Sequence, residues 1–458
     1  MPDTITAIAT PPGEGGLHVI RVSGTDSLAV LSRVFTPATG KSVETITARR
    51  ATMGTFNHPE SGDLLDTGLV IWFPGPRSFT GEDVVEISCH GGVLVSQGIL
   101  QALLDCGTRL AEPGEFTRRA FVNGKLDLTQ AEAVTDLIHA ASERARTNAL
   151  SHLQGRFSKK LETFYDRLLG VLSHLETAID FPEEGLQFNQ KENMRTDVQK
   201  IADEITDLAN TFKQGRIVRD GLKVVLVGKP NVGKSSLLNA LLDEDRAIVT
   251  PHPGTTRDVL EERIKLKDLH LTILDTAGIR EHPESIEEEG IARTRRALEQ
   301  ADLAVVILDG SQALDDNDLR LIEETKSMQR CGVLNKSDLP QTLNVDNLPA
   351  TLNSQSVIPL SAKNGDGLET LKDHLYAVAS GGNVARESLI ITRERHHRAL
   401  TQIVESLDQV CQSLADDRSE DLVAVDMNAA LDILGGLTGK DYATDLLDQI
   451  FDDFCIGK

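Results

Sequence analysis

The chain has 458 residues, and 47 Lys+Arg against 70 Asp+Glu give a net charge of −23. A hydrophobic content of 40% excludes global disorder, and roughly 150 residues per domain predicts about three domains. So acidic a surface repels phosphate backbones on average, and aromatics at only 4% make a base-stacking platform unexpected, so nucleic-acid contact must be local or come through a partner.

No apolar run approaches the ~20 residues of a membrane span, and the N-terminus lacks the pattern of a signal peptide. Cys89, Cys106, Cys331, Cys411 and Cys455 are odd in number and form no CxxC pair, which argues against a disulfide framework and a zinc site. A cytoplasmic protein with no membrane association is expected.

Residues 1–122 mix β-type runs with turn signals and predict an α+β domain. His18-Val19-Ile20-Arg21-Val22 and Gly68 to Phe73 read as strands, Pro11-Pro12-Gly13 and Pro74-Gly75-Pro76 as turns, and Gly98 to Leu104 as a short helix. Over 123–219 the period becomes helical. Leu150, Leu153, Phe157, Leu161, Phe164, Leu168 and Leu172 line one face of a single long helix, which Phe181-Pro182 stops. A second helix is predicted over 196–213.

Residues 220–378 alternate strand and helix. Val224 to Val227, Leu271 to Leu274, Ala304 to Leu308 and Val333-Leu334 are short apolar runs typical of parallel strands buried on both faces. Helical spacing returns over 379–458: Leu400, Ile403, Leu407, Val410 and Leu414, then a helix ended by Gly435-Gly436, then one carrying Leu446, Leu447, Ile450, Phe451 and Phe454. The expected architecture is multidomain, α+β and α/β: an all-α domain interrupted by an inserted α/β domain, behind an α+β N-terminal domain.

Gly228-Lys229-Pro230-Asn231-Val232-Gly233-Lys234-Ser235 fits GxxxxGK[ST] between a strand and the helical Ser236-Leu237-Leu238-Asn239. Its glycines let backbone amides turn inward around phosphates, Lys234 reaches the β/γ-phosphates, and the Ser235 hydroxyl binds Mg²⁺. Asp275-Thr276-Ala277-Gly278 follows the next strand, where an acid can hold the Mg²⁺ shell and a glycine can sense the γ-phosphate. Between them, Gly254-Thr255-Thr256-Arg257-Asp258 offers the Thr256 hydroxyl to the metal. Asn335-Lys336-Ser337-Asp338 ends a further strand, and the Asp338 carboxylate can accept two hydrogen bonds from the guanine edge, which adenine cannot give. Ser361-Ala362-Lys363 completes the base pocket. Five motifs in this order predict a GTP-binding domain.

The hydrolysis machinery departs from the Ras pattern, in which a glutamine orients the attacking water and an arginine finger neutralises charge. Ile279 follows Asp275-Thr276-Ala277-Gly278 and cannot hydrogen-bond water. The stretch Glu287-Glu288-Glu289 is a candidate replacement, its other reading being a solvated helix face. A bound metal ion can replace the missing cation.

Three further segments carry a resemblance. They are Thr4-Ile5 through Pro11-Pro12-Gly13 to Ile20-Arg21-Val22-Ser23-Gly24; Ser78-Phe79-Thr80-Gly81-Glu82-Asp83 through Glu86 with Cys89-His90-Gly91-Gly92; and Pro113-Gly114-Glu115-Phe116-Thr117-Arg118-Arg119-Ala120-Phe121 with Asn123-Gly124-Lys125-Leu126-Asp127-Leu128. With the GTPase motifs and the final Cys455-Ile456-Gly457-Lys458, the chain resembles the tRNA modification GTPases of the MnmE (TrmE) family over essentially its whole length. The resemblance implies a tetrahydrofolate-binding-like N-terminal domain, which also makes the homodimer, a discontinuous helical domain, and an inserted Ras-like P-loop GTPase domain. It implies work with the flavoprotein MnmG (GidA), in a heterotetramer, to place aminomethyl or carboxymethylaminomethyl groups at C5 of the wobble uridine in tRNA. The one-carbon unit comes from 5-formyl- or methylene-tetrahydrofolate.

By the same resemblance Arg21, Glu86, Lys125 and Lys458 line the folate site, a carboxylate pairing with the pterin amino edge while Arg and Lys meet folate's carboxylates. The G domains dimerise across the nucleotide and use K⁺, with Asn231 as side-chain ligand. Thr250, His252 (through its backbone carbonyl) and Thr255 match the loop closing over the ion, and Glu287 matches the glutamate that orients the water through a bridging water. Hydrolysis then releases the switch segments 247–257 and 278–290. Cys455 matters for modification in the family. Read alone, beside Phe454, it is a small buried hydrophobe, and whether it is a nucleophile, an acid or a packing residue stays open. Cys89-His90 point apart on a strand, and His396-His397 read as solvated surface.

The competing reading is a ribosome-assembly GTPase. That class adds a basic extension, whereas Ser413 to Asp453 is rich in Asp. A membrane-remodelling GTPase would want an amphipathic helix with a basic face, and none is evident.

Overall fold

A computed structural model describes residues 3–180, 188–245, 262–274, 296–344, 348, 349, 352, 357–381, 389–440, 444–452 and 454–458. Alternating apolar residues build the first sheet from β1 (Ile5–Ile8), β2 (Leu17–Ser23), β3 (Phe35–Pro37), β4 (Thr52–Asn57), β5 (Leu64–Phe73), β6 (Val84–His90) and β7 (Arg109–Leu110). Its order is β3-β4-β5-β6-β2-β1-β7, antiparallel except for the β1–β7 pair. Helices α1 (Ser27–Val34) and α2 (Val93–Asp105) share a core with Ile20 and Val22 of β2 and Val85, Ile87 and Cys89 of β6. Period-two alternation therefore sends Arg21 and Glu86 to the opposite face, and the register places them directly across from each other. Helix α2 begins at Val93, earlier than the predicted Gly98.

Helix α3 (Glu115–Val122) buries Phe116 against Ile5, Ala7 and Ala111. Its Arg119 is 2% exposed and donates to Asp3, Glu82 and Glu115. Burial pushes the Glu115 carboxyl up, but hydrogen bonds from Arg109, the Glu112 backbone and Arg119 outweigh it and hold it below the usual range. Helices α4 (Leu128–Ile138), α5 (Glu143–Leu153) and α6 (Arg156–Asp180) follow. The single long helix predicted from Leu150 to Leu172 is thus two, broken where Gly155 takes φ 77°. The apolar period runs across the break, which hid it. From Phe157 to Leu172 the predicted face is buried.

Helix α7 (Phe188–Asn210) packs along α12 (Glu394–Ala415), whose Leu400, Ile403, Leu407, Val410 and Leu414 are all buried as the spacing predicts. Between them come α8 (Phe212–Asp220) and the α/β insert: β8 (Leu222–Val227), α9 (Lys234–Asp245), β9 (Glu262–Leu266), β10 (Leu269–Leu274), β11 (Leu303–Asp309), α10 (Asp316–Glu324), β12 (Arg330–Asn335), β13 (Val357–Pro359) and α11 (Leu368–Ser380). The sheet order is β13-β12-β11-β8-β10-β9, parallel except at β9. Val224 and Leu226 enter one core while Val225 and Val227 enter another, so β8 is buried on both faces.

Both ends of the insert return to α8. Gln214 donates to the Ser380 carbonyl, the Ile391 amide donates to Thr211, and Gly215 lies against the Ile391 carbonyl. His270 of β10 is 1% exposed and its ring abuts Gly221, the residue joining α8 to β8. Burial pushes its pKa down to about 4, with the Arg263 charge adding to the effect and the Asp220 main chain opposing it. Because the folded value lies below the unfolded one, the unfolded chain takes up the proton first, and stability is lost as pH falls from 6.5 toward 4. The loss is on the order of 3 kcal/mol. Thermal melts of His270→Leu should show a shallower decline across that window than wild type, and equal slopes would contradict this.

Helix α13 (Glu420–Thr438) runs through Gly435-Gly436, where a stop was predicted, and ends at Gly439 instead. Gly439 has φ 82°, and a Cβ there would lie 2.6 Å from the Phe121 ring, so a glycine is required. Helix α14 (Thr444–Asp452) buries Leu447, Ile450 and Phe451, with Phe454 following, against Phe121, Leu128 and Ala131. Two compact units result: Met1–Thr135, His152–Asp180 and Met427–Lys458 form one, Asp136–Ser151 and Phe181–Asp426 the other. No helix among the described residues is long and apolar enough to cross a membrane.

Candidate functional sites

The loop after β8 turns on left-handed residues, Asn231 at φ 64° and Gly233 at φ 102°, before α9 starts at Lys234. A Cβ on Gly228 would lie 2.6 Å from the Ile307 carbonyl, so the loop sits hard against β11. Lys234 Nζ curls back onto the carbonyls of Gly228 (2.6 Å) and Lys229 (2.8 Å). Burial holds its ammonium below the usual lysine range, a setting in which an anionic phosphate is a favourable partner. Ser235 and Ser236 open α9 on its exposed side, and the Asn231 side chain is exposed. A helix N-terminus with a lysine and a hydroxyl fits a Mg²⁺–nucleotide, and an exposed amide oxygen fits a hard monovalent cation.

Asn335, at the end of β12, is 3% exposed and spans two loops: Nδ2 donates to the Val232 carbonyl (2.7 Å) and Oδ1 accepts from the Ala362 amide (3.0 Å). It is a strut between phosphate loop and base loop. Lys336 Nζ meets Asp309 at 2.6 Å. Ser361, fully buried, donates from Oγ to Asp338 Oδ1 at 2.7 Å. That bond, with the charges of Lys363 and Lys336, holds the Asp338 carboxyl below its usual range. Asp338 is therefore an exposed, ionised, oriented acceptor.

In the first sheet, Arg21 donates to Glu86 Oε1 from Nη2 (2.8 Å) and Nε (3.2 Å), and from Nη1 to the Gly457 carbonyl (3.4 Å). The C-terminal tail reaches there through a bridge between Pro113 and Ile456. Lys458 is half-buried; burial and then the Arg21 charge push its ammonium below the usual range, with Glu86 opposing. Arg21, Glu86 and Lys458 thus come together, from positions 21, 86 and 458. Lys125 is exposed and bonds the Pro76 carbonyl at 2.9 Å. It lines a separate cleft of about 380 Å³ with Tyr165 and Lys440.

Thr250, His252, Thr255, Thr256, Asp275, Thr276, Ala277, Gly278 and Glu287 lie outside the described residues. Cys455 is exposed, which corrects the reading as a buried hydrophobe. Cys89 is buried while His90 is exposed on Asp66, so the two point apart. His396 is 1% exposed, which corrects its reading as solvated surface, while His397 stays partly exposed and stacks on Phe212 at 4.7 Å. Sequence reasoning missed Asp309, the buried partner of Lys336, and the pairing of Lys229 with Asp315 and Asp318 at the N-terminus of α10. A buried Asp closing an apolar strand was the available signal for the first.

The GxxxxGK[ST] loop, Asn335–Asp338 and Ser361–Lys363, all at the carboxyl ends of parallel strands, are the arrangement of a P-loop GTPase. Residues 4–125 match the family description "GTP-binding protein TrmE N-terminus", and residues 128–455 match "MnmE helical domain". The tRNA modification GTPase MnmE of Natranaerobius thermophilus is 43% identical, over 100% of this chain and 99% of the relative. Those of Heliobacterium modesticaldum and Clostridioides difficile are 44% and 41% identical, each over 100% of this chain and 99% of the relative. The chain belongs to the MnmE (TrmE) family and is a GTPase.

Proposed function

We propose that this chain is the GTP-hydrolysing component of a tRNA wobble-uridine modification system. With the flavoprotein MnmG it adds an aminomethyl or carboxymethylaminomethyl group at C5, using a one-carbon unit from tetrahydrofolate. The observation that carries this reading is the meeting of Arg21, Glu86 and Lys458 on one sheet face. A plain GTPase has no use for it. Glu86 Oε2 accepts no hydrogen bond among the described residues, which suits the paired N–H donors of a pterin edge. A folate derivative would supply the transferable carbon, while this chain's residues bind and orient it.

In the GTPase, Ser235 and Thr256 would hold Mg²⁺, with Asp275 in its outer shell. Asn231, Thr250, His252 and Thr255 would hold K⁺ as two G domains pair in the homodimer, and Glu287 would orient the attacking water. Clamping of the C-terminal end of the insert to α8, the helix that leads into its first strand, supports a mechanical link from nucleotide state to the helical domain. The cytoplasm, where tRNA and folate are available, is the expected location.

The test is reconstitution: this chain with MnmG, tRNA, methylene-tetrahydrofolate and GTP, in KCl or NaCl. Modified uridine should form only in KCl, GTP turnover should fall at least tenfold in NaCl, and Asn231→Ala should lose the K⁺ response. Equal turnover in both salts would remove the K⁺ assignment, and unmodified tRNA in KCl would remove the modification reading.

A further inference from the structure

Lys229 is the second residue of the phosphate loop, and its main chain and side chain serve different neighbours. Its carbonyl accepts from Lys234 Nζ at 2.8 Å, within the loop. Its side chain leaves the loop and sets Nζ between two carboxylates at the start of α10, 2.8 Å from Asp315 Oδ2 and 2.7 Å from Asp318 Oδ2. A fully exposed pair of this kind would count for little. Here the Asp318 side chain is 5% exposed and that of Lys229 16%.

The two acids are held by their own helix. Asp315 Oδ1 accepts from the Asn317 and Asp318 amides, and Asp318 Oδ2 accepts from the Asp315 amide, which makes a capping box. Asp318 Oδ1 is buried and has no hydrogen-bond partner. Neither carboxylate can turn away without giving up the cap, and Lys229 is their one ion-pair partner among the described residues. Two negative charges one lysine side chain away from a loop that takes a polyphosphate oppose binding unless a cation cancels them.

We propose that Lys229 is a positioning residue that acts by charge: it neutralises Asp315 and Asp318, so that the phosphate loop receives the nucleotide without an opposing field. It touches no phosphate itself, because its ammonium is committed to α10. The γ-phosphate adds negative charge, so a triphosphate depends on Lys229 more than a diphosphate does. Only the nucleotide site is involved, whatever the chain does with tRNA or folate.

The test is equilibrium titration of the full chain with fluorescently labelled GDP and GppNHp in Mg²⁺. The variants are Lys229→Met, Lys229→Arg, Asp315→Asn/Asp318→Asn, and the triple combination with Lys229→Met. Lys229→Met should weaken GppNHp by about tenfold and GDP by about threefold, while Lys229→Arg stays within about twofold of wild type. Competition should show an unchanged preference for GTP over ITP in Lys229→Met, because Asp338 reads the 2-amino group that ITP lacks. Asparagine caps a helix as well as aspartate, so Asp315→Asn/Asp318→Asn should bind both nucleotides at least as tightly as wild type. In that background Lys229→Met should cost less than about twofold. This last comparison also holds if Lys229→Met alone fails to fold, since the triple variant buries no unpaired carboxylate. A loss in Asp315→Asn/Asp318→Asn as large as that in Lys229→Met would make Lys229 a mechanical tether and overturn the proposal. An equal cost of Lys229→Met in both backgrounds would overturn it too, as would wild-type affinity in Lys229→Met.

Discussion

Asp338→Asn should lower GTP affinity by about 10³-fold or more and turn the chain toward xanthosine triphosphate. The Ser361 hydroxyl donates to Asp338 Oδ1, so in the variant the amide oxygen stays on Ser361 and the amide nitrogen takes the other carboxylate position. That nitrogen donates where guanine also donates, and two charge-assisted bonds are replaced by a donor–donor clash. Xanthine carries a carbonyl in place of the 2-amino group and accepts the new donor. The phosphate loop is untouched, because Asn335 and not Asp338 ties the base loop to Val232. Turnover measured at saturating xanthosine triphosphate should therefore approach the wild-type rate on GTP. Unchanged GTP affinity would contradict the placement of the base.

Gly457→Ala should abolish modification, to below about a tenth of wild type, while GTP turnover stays within about twofold. Gly457 has φ 92°, a region costing an L-residue roughly 1–2 kcal/mol. A Cβ there would lie 2.6 Å from the Ile8 carbonyl and 2.8 Å from Ala9 Cα, both main chain and unable to yield. A four-residue tail relieves the collision by leaving its groove, which removes Lys458 from Glu86 and Cys455 from its neighbours. The Phe454 anchor and α14 are buried independently, so the domain remains folded. The GTPase lies in the other compact unit and keeps its rate. Normal modification by this variant would show that the docked tail is dispensable.

Much of the GTPase was legible in the sequence because its signals are local. An apolar strand followed by GxxxxGK[ST] fixes strand, loop and helix within a dozen residues, and β8, β11 and β12 form as read. Helix ends were less legible. The apolar period passes over Gly155 without a fault, and α13 tolerates Gly435-Gly436 because burial of Leu431, Leu434 and Leu437 outweighs about 1 kcal/mol of lost propensity per glycine. Contacts distant in sequence were not legible at all. Arg119 reads as one charge among many until Asp3, Glu82 and Glu115 surround it, and Gly457 gives no sign of meeting Ile8. The resemblance gathered Arg21, Glu86, Lys125 and Lys458 into one site; the register of β2 on β6 sets Arg21 across from Glu86, while Lys125 bonds the Pro76 carbonyl and lines a separate cleft.

The most direct measurement is nucleoside mass spectrometry on tRNA from a strain lacking this chain, complemented with wild type, Asp338→Asn or Gly457→Ala. Aminomethyl-type wobble uridines should vanish in the deletion, return with wild type, and stay absent with either variant. A nucleoside profile unchanged by the deletion would contradict the assignment of this GTPase to tRNA modification.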